Sequence, residues 1–223
     1  SQRHDPQDRL GSNLERASLK ILFCLPAVGA AVPSFHALSI LSAVANQAGH
    51  ETALLEMPEM RLGAVDEAIR RHDPAVVALT SVTQQIPYSK QIIAHIKQKF
   101  PHIYTVLGGT HAIVRPNVID EIPELDALAT NESEGPILEL LSALDRGERP
   151  RDVPNFAFRH GGELIRPVRT YTCDEAEMTA LRELMRGDLN ALTMLRALVS
   201  RAGRALIDQD KDPVREEIAE LVG

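Results

Sequence analysis

Two spacings of apolar residues alternate along positions 19–145, and this alternation predicts an α/β fold. Short apolar runs predict strands at 19–25, 51–56, 75–80, 104–107 and 125–129. Between these runs, apolar residues recur three and four positions apart, which is typical of helices. Strands that alternate with helices favour parallel βαβ units with right-handed crossovers. We therefore predict a doubly wound, flavodoxin-like (Rossmann-like) parallel sheet of five strands in the order 2-1-3-4-5.

The pattern changes after this unit. Residues 155–159 and 163–168 predict the two strands of a β-hairpin, joined by His160-Gly161-Gly162. From Asp174 onward, helical spacing predicts short helices, and their leucines are Leu181, Leu184, Leu189, Leu192, Leu195 and Leu198. The predicted organisation is a polar N-terminal tail at 1–18, a Rossmann-like domain at 19–148, a linker and hairpin at 149–170, and a helical C-terminal extension at 171–223.

Composition restricts the class of protein. A net charge of -7 over 223 residues argues against a surface for nucleic acid or anionic membranes. No apolar run approaches the roughly 20 residues that span a bilayer, and the N-terminus lacks the apolar core of a signal peptide. Cys24 and Cys173 have no metal-type or redox spacing, so we expect no iron–sulfur cluster on this chain alone and a cytoplasmic location. Cys24 is expected to be a small buried hydrophobe.

Four loops carry the candidate site. Because carboxyl ends of parallel strands share one edge, the loops after the first, third, fourth and fifth strands should gather there. Their candidate ligand-binding residues are Pro26, Ala27, Val28, Gly29, Ser81, Val82, Thr83, Gly108, Gly109, Thr110, His111, Asn131, Glu132, Ser133 and Gly135. Gly108 and Gly109 lack Cβ atoms, so a large flat molecule could lie against the backbone. A tight turn without a ligand explains the two glycines equally well.

The run at 131–135 leads into a predicted helix at 135–144. Its backbone amides could hold an oxygen-rich group, as helix N-termini do. Capping of that helix by the Ser133 side chain is the alternative.

Several motifs in order give a more specific interpretation. They are Ala48-Gly49-His50-Glu51, Leu107-Gly108-Gly109-Thr110-His111, the Glu132/Glu134-Gly135 run and the Gly-Gly hairpin turn. Over residues 19–168 the chain resembles the cobalamin-binding domain that precedes the catalytic core of cobalamin-dependent radical S-adenosylmethionine enzymes. The resemblance implies that a corrinoid lies across the carboxyl edge of the sheet, with its nucleotide tail inserted beside the strands. Cobalamin would then serve methyl transfer in an intact enzyme.

The resemblance also implies roles for the four loops. Residues 26–29 would approach the lower face of the corrin, and residues 81–83 the tail and the corrin amides. Gly108 and Gly109 would flank the nucleotide tail, with Thr110 and His111 near the corrin edge. Residues 131–135 would line the opposite rim. For His111, a hydrogen-bonded loop histidine without a ligand remains the alternative.

The sequence departs from the family pattern at three places. The first loop has no DxHxxG motif, and no histidine follows it until His36, which is expected to pack in a helix. Cobalamin is therefore expected base-off, without a histidine ligand from that motif. Asn131-Glu132-Ser133 stands where Gly-Glu-Gly is common. The CxxxCxxC motif is absent, so the chain alone is not expected to perform radical chemistry, and a radical core in cis or trans is the implied partner.

Two other functions stay open. One is a regulatory or partner-binding protein on the same fold, with the leucine-rich tail as interaction surface and as a contact between copies in a homo-oligomer. The other is a flavodoxin-like domain that binds another cofactor or none. The 4% aromatic content, without Trp, argues against a flavin.

Overall fold

The computed structural model describes residues 18–28 and 35–190, and their strands form one sheet in the order β2-β1-β3-β4-β5-β6-β7. The strands are β1 (Lys20–Pro26), β2 (Glu51–Met57), β3 (Val76–Thr80), β4 (Tyr104–Gly108), β5 (Ala127–Ala129), β6 (Phe156–His160) and β7 (Glu163–Ile165). The first five strands are parallel, and the last two pair antiparallel. The predicted order 2-1-3-4-5 is confirmed. The predicted hairpin extends this sheet at β5.

Helices cover both faces of the sheet. They are α1 (Phe35–Gln47), α2 (Leu62–His72), α3 (Ile86–Lys99), α4 (Thr110–Val114), α5 (Pro136–Asp145) and α6 (Glu175–Gly187). One hydrophobic cluster joins α1, α5 and α6 to one face, called here the α1 face. A second cluster joins α2, α3 and α4 to the other, the α3 face. Within the described part of the chain, no helix is both long and apolar enough to cross a membrane.

Side chains of β1 show how the two layers arise. Successive residues of a strand point to opposite faces, so Phe23 and Leu25 enter the cluster on the α1 face while Leu22 and Cys24 enter the other. All four are almost completely buried, as a central strand covered on both faces requires. Burial raises the pKa of Cys24 to about 12, so this thiol is the small buried hydrophobe that the sequence predicted.

Helix α6 forms a further layer over α1. Met185 is fully buried there, and Leu181 and Leu184 pack against the same cluster. The Asn46 side-chain amide donates to Asp188 Oδ2 at 2.9 Å, which ties the end of α6 to α1. The first part of the predicted C-terminal extension is therefore docked on the sheet domain. Leu192, Leu195 and Leu198 lie outside the described residues.

A charged cluster joins α2 to α3 on the α3 face. Asp66 is almost buried, and its two carboxylate oxygens contact His95 Nε2 and Lys99 Nζ, each at 2.6 Å. The hydrogen bond from Lys99, aided by His95, holds the pKa of Asp66 below its usual range. This cluster stabilises the packing of α2 against α3, and its hydrogen bonds to His95 and Lys99 do not involve the rest of the candidate loops.

Candidate ligand site at the carboxyl edge of the sheet

The two faces of β3, β4 and β5 carry side chains of different size. On the α1 face these strands begin with Val76 and Tyr104, but toward their carboxyl ends they present smaller residues, namely Ala78, Thr80, Val106, Gly108, Ala127 and Ala129. On the α3 face they present mostly larger residues, namely Val77, Leu79, Thr105, Leu107 and Leu128. Ala78 and Ala129 keep 9% and 8% of their surface exposed, whereas Leu107 and Leu128 keep none. Solvent thus reaches the α1 face over what we call the small-residue slot.

Gly108 and Gly109 have different surroundings, although the sequence treats them as a pair. A Cβ on Gly108 would meet the Cβ of Ala129 at 3.4 Å, which is ordinary contact within the slot. A Cβ on Gly109 would lie 2.6 Å from the backbone nitrogen of Ser81, and Gly109 has a φ of +95°. Gly109 is therefore needed for a close approach between two loops of the protein. Gly108 lies beside Ala129, whereas Gly109 lies against the Ser81 backbone and the Thr80 hydroxyl.

Backbone hydrogen bonds hold the loops after β3 and β4 together. Ser81 N donates to Gly108 O at 3.1 Å, and His111 N donates to Ser81 O at 3.2 Å. The Ser81 hydroxyl lies 2.5 Å from the Ser89 hydroxyl of α3 and is buried. Val82 N donates to the side chain of Gln85 at 3.0 Å, which closes the turn. The side chain of Ser81 is thus turned toward the α3 side, and its backbone fixes the junction.

His111 lies buried at this junction. Its Nδ1 is 3.0 Å from Thr83 Oγ1, and 5% of the residue is exposed. Burial, aided by the neighbouring Arg115 guanidinium, lowers the pKa of His111 and favours the neutral imidazole. The preceding Thr110 is exposed and begins α4, whose N-cap is Gly109.

The first loop lies next to the point where the strand order diverges. The chain leaves β1 for β2 on one side and later enters β3 on the other, so the loops that follow β1 and β3 diverge, and a crevice is expected outside the carboxyl ends of these strands. Pro26 is buried, and Ala27 N donates to Met57 O at 2.8 Å. Ala27 and Val28 are half-buried at this crevice. Gly29 and the side chain of His36 lie outside the described residues.

The loop after β5, residues 131–135 and called here the rim loop, does not use Ser133 as a helix cap. The N-cap of α5 is Gly135, without a side-chain hydrogen bond, and Pro136 follows it. The Ser133 hydroxyl donates instead to Asn131 O at 2.9 Å. The predicted alternative of capping by the Ser133 side chain is therefore wrong. The N–H groups that a side-chain cap would bind are already paired, since Ile137 N donates to Ser133 O at 2.8 Å and Leu138 N to Gly135 O at 3.1 Å.

The rim loop is covered by a segment that the sequence analysis did not single out, residues 169–174, called here the strap. The Tyr171 ring lies over Gly135, where an added Cβ would come within 3.0 Å of it. Cys173 N donates to Glu132 Oε2 at 2.5 Å. The side chain of Asn155 bridges both segments. The sequence pattern indicates for Asn155 only the start of a strand. Its φ of +61° is one that asparagine tolerates better than most residues.

The family model of the B12 binding domain matches residues 28–141, just over half of the chain. The chain belongs to the B12-binding domain family. Cobalamin is its cofactor, as the sequence resemblance implied.

Curated relatives of this B12-binding domain are longer proteins. The anaerobic magnesium-protoporphyrin IX monomethyl ester cyclase of Rubrivivax gelatinosus is 36% identical over 84 residues, which cover 37% of this chain and 15% of the cyclase. The uncharacterized methyltransferase PH0819 of Pyrococcus horikoshii is 23% identical over 158 residues, which cover 66% of this chain and 34% of that protein. The chain thus spans about a third or less of the length of these relatives.

Solved structures with the same fold include two radical enzymes. The radical S-adenosylmethionine methyltransferase TsrM of Kitasatospora setae, with cobalamin and a [4Fe-4S] cluster bound, has a TM-score of 0.59 at 16% identity, covering 72% of this chain and 32% of TsrM. The cobalamin-dependent radical enzyme OxsB, with aqua-cobalamin bound, has a TM-score of 0.58 at 12% identity, covering 76% of this chain and 26% of OxsB. At these identities the likeness concerns the fold. It confirms the predicted resemblance to the cobalamin-binding domain of such enzymes.

The residues of the B12-binding domain fit a bulky ring-shaped cofactor. Missing side chains at Gly108 and small ones at Ala78 and Ala129 leave room beside the strands. No group of three or more His, Cys, Asp or Glu among the described residues is arranged to hold a metal ion. A corrin already holds its cobalt, so the protein has to supply space and hydrogen bonds rather than a full set of metal ligands.

Proposed function

We propose that the chain binds cobalamin with the corrin ring across the carboxyl edge of the sheet and the nucleotide tail in the small-residue slot. The observation that carries this proposal is the difference between the two faces of β3–β5. Ala78, Gly108 and Ala129 supply an apolar floor that is not completely covered. A protein interior is normally close-packed, so an incompletely covered sheet face argues for an occupant. The position of this floor at the carboxyl ends of β3–β5 supports the use of the candidate loops that follow these strands.

We further propose that the bound cofactor is base-off and has no lower ligand from a DxHxxG histidine. The residues described at the end of β1 and after it, Pro26 to Val28, supply no imidazole. His111 follows the carboxyl end of β4, but its Nδ1 already pairs with Thr83 and the residue is buried. Insertion of the nucleotide tail between sheet and helices removes the tail base from cobalt. The protein then holds the cofactor by shape and hydrogen bonds.

The biochemical role that this geometry supports is that of a cobalamin carrier. Cobalamin, when bound, supplies methyl-transfer chemistry, and the residues of this chain bind and orient it. A radical S-adenosylmethionine core, in cis or in trans, is the proposed partner, since the cobalamin-bound neighbours in fold carry one and the chain spans a third or less of its curated relatives. The alternative of a regulatory protein has less support, because Leu181 and Leu184 of the tail pack against α1.

The test is retention of cobalamin. Purified protein is mixed with hydroxocobalamin, desalted, and its visible absorption spectrum is recorded. We expect retained corrinoid with a base-off spectrum, and the same spectrum from the variant His111→Ala. Loss of all colour on desalting would overturn the binding proposal. A retained base-on spectrum, or a spectrum that changes in His111→Ala, would overturn the proposed ligation while leaving binding intact.

A further inference from the structure

We propose that Asn155 is a positioning residue for the cobalamin site, through the hydrogen bonds by which it fixes the rim loop under the strap. This role rests on the proposed function, because the rim loop is one of the four loops around the corrin edge. Asn155 itself is 2% exposed and lies beneath the rim. It would act without touching the cofactor.

The side chain of Asn155 forms hydrogen bonds to both the rim loop and the strap. Its Nδ2 donates to Glu132 O and to Tyr171 O, each at 2.7 Å. Its Oδ1 accepts from Tyr171 N at 3.1 Å. Two donors and one acceptor thus join the middle of the rim loop to the middle of the strap. A carboxamide is the side-chain group that can make this set of bonds, since it carries both an acceptor and two N–H donors.

The backbone of Asn155 adds further hydrogen bonds on the side of the rim loop and on the side of the strap. Its carbonyl accepts from Thr130 N at 2.8 Å and from Thr130 Oγ1 at 2.9 Å, which fixes the end of β5 just before the rim loop. Its own N–H donates to Arg169 O at the start of the strap at 3.2 Å. The chain reaches this geometry through a φ of +61°, a costly conformation for a residue with a side chain. Every polar group of Asn155 is therefore engaged in holding the rim and the strap.

The Asn155 side chain acts beside other supports of the rim loop. The loop enters α5 without a side-chain cap but with backbone hydrogen bonds to the first turn. Cys173 N on Glu132 and the Tyr171 ring on Gly135 hold it to the strap, whose Arg169 is ion-paired with other parts of the domain. The Asn155 side chain is buried and bonds both the rim loop and the strap. Its loss should therefore loosen the strap and the rim together and impair the fit to a bound corrin.

The experiment separates positioning from general stability. Asn155→Gly removes the side chain but tolerates the positive φ, and Asp66→Asn is the matched control, a destabilising change in the cluster between α2 and α3. Hydrogen exchange of the free proteins is measured at the amides of Ser133, Ile137 and Leu138, and hydroxocobalamin affinity is measured below the melting temperature of each variant. For Asn155→Gly we expect about tenfold faster exchange at these amides and about tenfold weaker binding. For Asp66→Asn we expect neither.

Three results would overturn the role of Asn155. They are unchanged exchange in the rim loop, faster exchange with wild-type affinity, and an equal loss of affinity in Asp66→Asn at a similar melting temperature. A wild-type protein that retains no corrinoid would instead overturn the proposed function, and the role of Asn155 with it. The exchange measurement needs no cofactor, so the two failures are distinguished.

Discussion

The two faces of the central strands differ in what they are packed against. On the α3 face, large side chains such as Leu107 and Leu128 are completely buried by α2, α3 and α4. On the α1 face, the same strands present Ala78, Gly108 and Ala129, and solvent reaches them. Both faces carry a hydrophobic core, but on the α1 face the carboxyl ends of β3–β5 present small side chains that are not completely covered. We therefore expect cofactor binding on the α1 face and little effect of the α3 face on it.

The largest expected effect comes from a cavity on the α3 face. Leu128→Ala removes a fully buried side chain from β5 and should lower the free energy of unfolding by about 2–5 kcal/mol. Affinity of the folded protein for hydroxocobalamin should stay within about twofold of wild type, because Leu128 points away from the slot. Urea unfolding and a binding titration at low temperature measure the two quantities. A loss of affinity larger than the loss of folded protein explains would contradict the assignment of cofactor binding to the α1 face.

The neighbouring residue on the opposite face should give the reverse result. Ala129→Leu places a larger side chain in the small-residue slot and should weaken hydroxocobalamin binding at least about a hundredfold, about 2.7 kcal/mol. Its cost in unfolding free energy should be about 1–3 kcal/mol, because Ala129 is mostly buried in the cluster on the α1 face. Leu128→Ala is the matched comparison, one residue away in the same strand. Wild-type affinity in a folded Ala129→Leu protein would exclude the slot as the place of the nucleotide tail.

Local sequence patterns predicted the elements, because each depends on residues close together in the chain. Apolar runs and the Gly161-Gly162 turn predicted the five parallel strands and the hairpin. Patterns could not predict what depends on contacts between distant segments. The strap over the rim loop is fixed by Asn155 and Tyr171, and neither residue belongs to a motif. The same limit explains the rim itself, where the Ser133 side chain has the chemistry of a cap but backbone carbonyls of Ser133 and Gly135 accept from the first free N–H groups of α5.

The sequence treats Gly108 and Gly109 as a pair, whereas the structure gives them different surroundings. Gly109→Ala should destabilise the fold by about 1–3 kcal/mol, because the added Cβ would meet the backbone of Ser81 at a positive φ. Gly108→Ala should leave stability nearly unchanged, since its Cβ would reach only ordinary contact with Ala129, and should weaken hydroxocobalamin binding about tenfold. Thermal melting and a binding titration of both variants test this. Equal stability losses at the two positions would show that both glycines serve loop packing.

The smallest expected effect is a pH dependence at the junction of the β3 and β4 loops. Burial lowers the pKa of His111 in the folded protein, so the unfolded chain binds the proton more readily. The resulting stabilisation is complete above the ordinary histidine pKa of about 6.5 and is lost as pH falls through the lowered folded pKa. His111→Gln, which can keep a hydrogen bond to Thr83, should therefore lose less stability than wild type between about pH 7.5 and pH 5. Urea unfolding of both proteins at the two pH values measures the difference. Equal losses would mean that His111 exchanges protons in the folded protein as it does in water, and that the junction is more open than its hydrogen bond to Thr83 indicates.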